Sequence, residues 1–264
     1  MKKVLFLFAT ILVLAVPVQS FSAETSKGNG EKEWTIPDHV LSITKENTYP
    51  NPSQDIPTLQ PSELAQELLD SVDVKIENPA LIRIFNESTI HTHTLSVGTS
   101  AKIYLGKWAL NYQSEETNAN WEYKEVNVNE LNNHGGKGQA KSTYNQKKEV
   151  KVNGGLTANI PSQNDVKQMM LMTAANKTKL PLSFETVVGV GTKKGQEYNV
   201  APKKVGQLTS YVPAINEKGK VMYGEVYIVI DGNDKKLEIK NVTQQGIGAW
   251  IPVQDHLSFQ FHAR

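Results

Sequence analysis

The stretch from Val221 to Phe261 constrains the fold more than any other part of the chain. Val221 to Ile230 is dense in β-branched and aromatic residues, and Asp231-Gly232-Asn233-Asp234 follows as a turn. Leu237, Ile239 and Val242 then begin an alternation that slips near Asn241. A short apolar stretch from Ile247 to Val253 comes after Gln245-Gly246, and Leu257, Phe259 and Phe261 alternate with polar neighbours to the end. Period-two patterning broken by turn residues predicts an antiparallel meander. Asn216-Glu217-Lys218-Gly219 reads as the turn before it, with Gly219 suited to a positive φ. The chain of 264 residues has no cysteine, so this sheet must be held by its core and not by disulfides.

Further strands are expected at Val74–Ile76, Leu81–Phe85, Ile90–Val97, Lys102–Tyr112, Trp121–Val128, Glu149–Val152 and Leu182–Val190. Two helices stand out. One runs from Pro61 to about Val72, with Pro61 in its first turn and Leu64, Leu68, Leu69 and Val72 on one stripe. The other follows Pro161, with Ser162 as cap, Asp165 in the first turn, and Val166, Met169, Met170 and Met172 on its buried side. Its methionines would also suit an adaptable groove, but at helical spacing they read as gap-filling core. The expected class is therefore α+β and β-rich, mostly antiparallel sheet with a C-terminal meander and about two helices.

The N-terminus has a separate character. Met1-Lys2-Lys3 precedes an apolar run of 15 residues, Val4 to Val18, and small or polar Ser20, Ser22 and Ala23 follow. This is the layout of a secretory signal peptide, and the run is short of the roughly 20 residues that a membrane-spanning helix needs. The competing reading is an uncleaved anchor. The expected organisation is a signal peptide over 1–23, an extended Pro-containing segment over 24–60, and one β-rich globular domain over 61–264. Within the middle segment Trp34 to Ile43 is an apolar island suited to a short strand or clamp.

Lys and Arg number 28 against 27 Asp and Glu, and only Arg83 and Arg264 are arginine. Balanced charge and scarce arginine argue against a nucleic-acid surface. The sequence lacks a Gly-x-Ser-x-Gly elbow, a His-Glu-x-x-His helix and a well-spaced nucleotide loop, so no catalytic residue and no cofactor are assigned. His91 and His93, two apart on a strand, share a face and form a metal candidate, with His134 or His256 as the third ligand. The aromatic pairs Trp108 with Tyr112 and Trp121 with Tyr123, each predicted to share a face, are candidate ligand-binding rings beside Asn and Gln. The alternative places them in the core, which is the expectation for Trp108.

Gly106-Lys-Trp-Ala-Leu-Asn-Tyr112, Asn120-Trp-Glu-Tyr123, Gly154-Gly-Leu-Thr157, Lys167-Gln-Met-Met-Leu-Met172 and Gly246-Ile-Gly-Ala-Trp-Ile-Pro-Val-Gln-Asp-His256 together resemble the YfkD-like family of spore-forming Gram-positive bacteria. The resemblance covers roughly residues 60–264. It implies export to the cell-wall space, the medium or the spore envelope, and it brings no catalytic residues with it. Two functions follow as expectations. The first is a non-catalytic envelope protein that binds a wall polymer or a protein partner. The second is an exported hydrolase of wall polymer whose reactive groups converge only in the fold.

Overall fold

The computed structural model describes residues 34–53, 59–88, 100–232 and 234–264. Its spine is β8 (Val205–Asp231), a strand of 27 residues that is paired on both edges. Along one edge runs β2 (Ser100–Asn132), 33 residues long. The other edge takes β10 (His256–Ala263) first, opposite residues 206–211, and then β9 (Asp234–Pro252), opposite residues 214–231. All of these pairings are antiparallel. β1 (Val40–Ser42) extends the sheet beyond β10, and β5 (Gly155–Leu156) lies outside β9. Two small pairs complete the strands among the described residues: β3 (Ala140–Asn145) with β7 (Lys193–Val200), and β4 (Val150–Asn153) with β6 (Glu185–Val188).

The expected meander is present, but its strands are far longer than the turn signals suggest. Lys102–Tyr112 and Trp121–Val128 are parts of the single strand β2, which absorbs its irregularities as five register shifts instead of turning. Asn216–Gly219 is not a turn either; it lies inside β8. Gly219 is there for room, because a Cβ on it would sit 2.0 Å from the Gln113 carbonyl and 2.7 Å from the Tyr112 hydroxyl. The slip near Asn241 is real: Asn241 has φ 51°, and the β8–β9 register shifts between Tyr223 and Glu225. Pro213 falls where β8 passes from one neighbour to the next, and β2 carries its largest irregularity there, between Asn120 and Lys124. A proline has no N–H for the ladder, so a central strand tolerates it only at such an interruption.

Among the described residues three helices pack on this sheet. α1 (Glu63–Asp70) is shorter than expected and begins at Ser62, whose hydroxyl accepts from the Ala65 N–H, so Pro61 precedes the helix. α2 (Pro79–Glu87) replaces the strand expected at Leu81–Phe85: Pro79 sits in its first turn and Asn78 caps it. Val74–Ile76 is not a strand. α3 (Gln163–Thr178) follows Ser162, which lies in the left-handed region at φ 51° and makes no capping bond with its side chain. The expected strand Ile90–Val97 lies outside the described residues.

The helices divide the core. α1 and α2 cover one face of the sheet near Ser100, packing Leu68, Leu81 and Phe85 on Leu110, Val226 and Ile228. α3 covers the opposite face further along, with Val166, Met169 and Met170 against Tyr112, Tyr223, Ile247 and Ile251. A third cluster joins Ile43, Tyr144, Leu208, Leu257 and Phe259 at the far end. Asn78 ties the two helical layers together around the edge of β2. Its Oδ1 accepts from the Ala80 N–H, while its Nδ2 donates to the Ala109 carbonyl and to Asp165 of α3.

The leading segment is bound firmly to the domain. Beyond β1, the side chains of Asn47 and Asn51 each donate to the Val187 carbonyl and to Asp255, and accept from the Gly189 and Val187 N–H groups respectively.

Candidate functional site

The four aromatic candidates occupy different surroundings. A register shift between Ala109 and Asn111 leaves Leu110 as the extra residue, and the alternation changes side there. Trp108 and Leu110 consequently pack beneath α1 and α2, whereas Tyr112 goes to the α3 face. The expected shared face of Trp108 and Tyr112 is lost. Trp108 is half-buried and its indole N–H donates to the Leu105 carbonyl. Trp121 packs against the α3 core, while Tyr123 stacks on Trp250 with ring centroids 5.2 Å apart and joins the far cluster. These rings serve packing first.

Tyr112 belongs to a closed polar network. Its hydroxyl donates to Oε1 of Glu217, which is fully buried, and the Thr117 hydroxyl donates to Oε2 at 2.6 Å. Lys177, near the end of α3, reaches the Ser114 hydroxyl at 2.6 Å. Burial, reinforced by the carboxylate beside it, holds the Tyr112 hydroxyl well above the ordinary tyrosine range. Both Glu217 oxygens are thus engaged within the core.

Of the metal candidates, His91 and His93 lie outside the described residues. His134 and His256 are each bonded locally, His134 Nδ1 with Asn132 Oδ1 and His256 Nδ1 with the Gln254 carbonyl, both close in sequence. No three His, Cys, Asp or Glu side chains gather as a metal-binding group among the described residues.

The aromatic surface that does face outward lies where α3 no longer covers the sheet. Along β8 the even-numbered Val226, Ile228 and Ile230 face α1 and α2, so Glu225, Tyr227 and Val229 face away. Their neighbours complete three rows across three strands: Lys102, Val229 and Lys236; Tyr104, Tyr227 and Glu238; Lys107, Glu225 and Lys240. Tyr104 is 56% exposed, and its ring lies 4.9 Å from that of Tyr227 at a tilt of 37°. The Lys102 ammonium stands 4.5 Å from the centre of the Tyr227 ring.

Charge organises the rest of this surface. Lys102 and Lys240 both pair with Glu238 and hold its carboxyl below the usual range. The Tyr227 hydroxyl and the Asn241 amide both donate to Oε2 of Glu225, and that bond raises the tyrosine's pKa. Lys107 and Lys236 make no ion pair among the described residues. The surface is therefore a tilted tyrosine pair inside a frame of four ammonium groups and two carboxylates.

Sequence reasoning missed this surface because it sought aromatic pairs within one stretch of chain, Trp108 with Tyr112 and Trp121 with Tyr123, whereas Tyr104 and Tyr227 meet only across two strands. The signal was available in the alternation of Lys102, Tyr104, Glu225, Tyr227, Glu238 and Lys240 with apolar neighbours. Away from this surface lies a cleft of about 270 Å³ between α2 and α3, lined by Ile76, Glu77, Ile82, Met169, Met172, Thr173 and Asn176. Its methionines belong partly to the core, as their spacing predicts: Met169 is buried.

The profile described as YfkD-like protein matches residues 37–264. The chain is 60% identical over 233 residues to the Bacillus subtilis (strain 168) protein described as "Uncharacterized protein YfkD", covering 88% of each. Among solved structures, a lamprey immune protein matches 64% of this chain and 55% of its own, at 6% identity and a TM-score of 0.25.

Proposed function

The chain belongs to the YfkD-like family, and on that footing we propose that it is an exported cell-envelope protein that acts by binding and not by catalysis. The export half of this reading rests on the cationic start, the 15-residue apolar run and the small residues that end it. The binding half rests on one observation: Tyr104 presents its ring to solvent on a three-stranded platform, next to a second tyrosine and to lysines that make no ion pair among the described residues. Exposed aromatic rings fixed on rigid elements supply contact area at small entropic cost. The destination is the wall space, the medium or the spore envelope of a Gram-positive cell.

Fractionation of the producing cells tests the location. The protein should be found outside the cytoplasm, beginning between residues 21 and 24. A cytosolic protein with Met1 intact overturns it. Incubating the purified chain with isolated envelope polymer tests the mode of action: retention without release of fragments is expected, and steady release of fragments would establish a hydrolase instead.

A further inference from the structure

We infer that the Tyr104–Tyr227 surface binds an anionic sugar polymer, one with a ring that lies on Tyr104 beside Tyr227 and with carboxylates or phosphates that meet the surrounding lysines. This names the ligand class for the binding role proposed above and rests on that reading. The two halves of the ligand are argued from different observations.

The ring half follows from geometry. Tyr104 and Tyr227 are direct partners in the β2–β8 register, so their rings sit side by side on the outer face. Tyr227 is anchored, because β8 is paired on either edge and the Tyr227 hydroxyl is fixed on Glu225, and Tyr104 is held beside it by the β2–β8 pairing. A fixed, tilted ring pair with one member more than half exposed favours a flat ligand with C–H faces. The charge half follows from the lysines that make no ion pair among the described residues. Lys102 and Lys240 are engaged by Glu238, but Lys107 and Lys236 are not, and they stand at opposite corners of the frame. Strand spacing places these corners about 16 Å apart on the diagonal, with the tyrosines between them. A compact anion cannot touch both corners, whereas a polymer with repeated charges can. Complementary charge selects the anionic class, and length selects the polymer.

Binding of the purified full chain to labelled polygalacturonate, followed by anisotropy, tests this. Neutral dextran of equal size and inorganic polyphosphate serve as controls for charge and for the sugar ring. Polygalacturonate should bind, dextran should not, and polyphosphate should bind more weakly. Tyr104→Ala should weaken polygalacturonate binding about tenfold, with Tyr104→Phe close to the unmodified protein. The double change Lys107→Ala, Lys236→Ala should weaken it by at least about tenfold and flatten its dependence on salt. All three side chains are exposed, and circular dichroism of the variants should match that of the parent.

Equal binding of dextran would refute the anionic class. Polyphosphate binding as tight as polygalacturonate and indifferent to Tyr104→Ala would refute the ring contact, leaving charge alone. Absence of binding to all three refutes the inference while leaving location and a different partner to the fractionation test. A cytosolic protein that nevertheless binds polygalacturonate through Tyr104 would refute export and sustain the ligand class.

Discussion

Glu217 makes no ion pair among the described residues, and two hydroxyls hold its side chain in the middle of the sheet. Removing one donor strands an oxygen in a dry place, so Tyr112→Phe should destabilise the protein by about 1–3 kcal/mol in urea titration at pH 8. The tyrosine also sets a response to alkali. Its pKa is raised in the folded state by burial and by Glu217, so the folded protein holds that proton more tightly than the unfolded chain does. The stabilisation is complete below the ordinary tyrosine value of about 10 and is lost as pH rises beyond it. The fall in urea midpoint between pH 8 and pH 11 should be smaller in Tyr112→Phe than in the parent; an equal fall would mean the alkaline response lies elsewhere. Tyr144 and Tyr223, also raised by burial, should leave part of the response in place. The buried position of Tyr112 was legible from its pattern. Its partner was not, because Glu217 sits in a Asn-Glu-Lys-Gly string that has the composition of a turn while its backbone is strand.

The same local ambiguity decides how the elements were read. A strand prediction stops at the first cluster of polar residues, so β2 was divided at Gln113–Asn120, although pairing with β8 carries it through. Conversely, Ile82 and Ile84 alternate in a way that suggests a strand, yet Asn78-Pro79 just before them is a helix start, with the amide on the Ala80 N–H and the proline in the first turn. Tertiary pairing overrode composition in one case, and capping chemistry overrode periodicity in the other. Glycine makes the difference measurable. Gly219→Ala would push a Cβ into backbone at 2.0 Å and should cost about 2–3 kcal/mol, since the Gln113 carbonyl can yield only if β2 and β8 part. Gly246→Ala meets nothing within 4 Å and has an ordinary φ, so its effect should stay within about 0.5 kcal/mol. If Gly219 were a turn residue with open space around it, the two would behave alike.

Across the whole molecule, the β-rich class and the antiparallel order of the last strands were readable because side-chain alternation reports burial directly. The same alternation marks the outward residues of the candidate binding surface, but not which of them stay uncovered, since that depends on where α3 stops, and helix placement on a sheet leaves no periodic trace. Order at long range also governs the leading strap: β1 pairs with β10 more than two hundred residues away, Ile43 is fully buried, and Asn47 and Asn51 bind Asp255. A chain starting at residue 59 should therefore be about 3–5 kcal/mol less stable in urea than one starting at residue 34. It should also self-associate in gel filtration as concentration rises, because removing β1 bares the evenly spaced edge of β10. A monomeric truncated chain of unchanged stability would show the strap to be decoration. The outer border of β2 differs in kind. Among the described residues it has no strand beside it, and the Glu77 and Asn78 N–H groups meet it only at the displaced Leu110 carbonyl. Five register shifts leave no regular run longer than the six residues from Asn127 to Asn132. A foreign strand laid along it would fall out of step every few residues, so the longest free border of the molecule is a poor template for fibre growth.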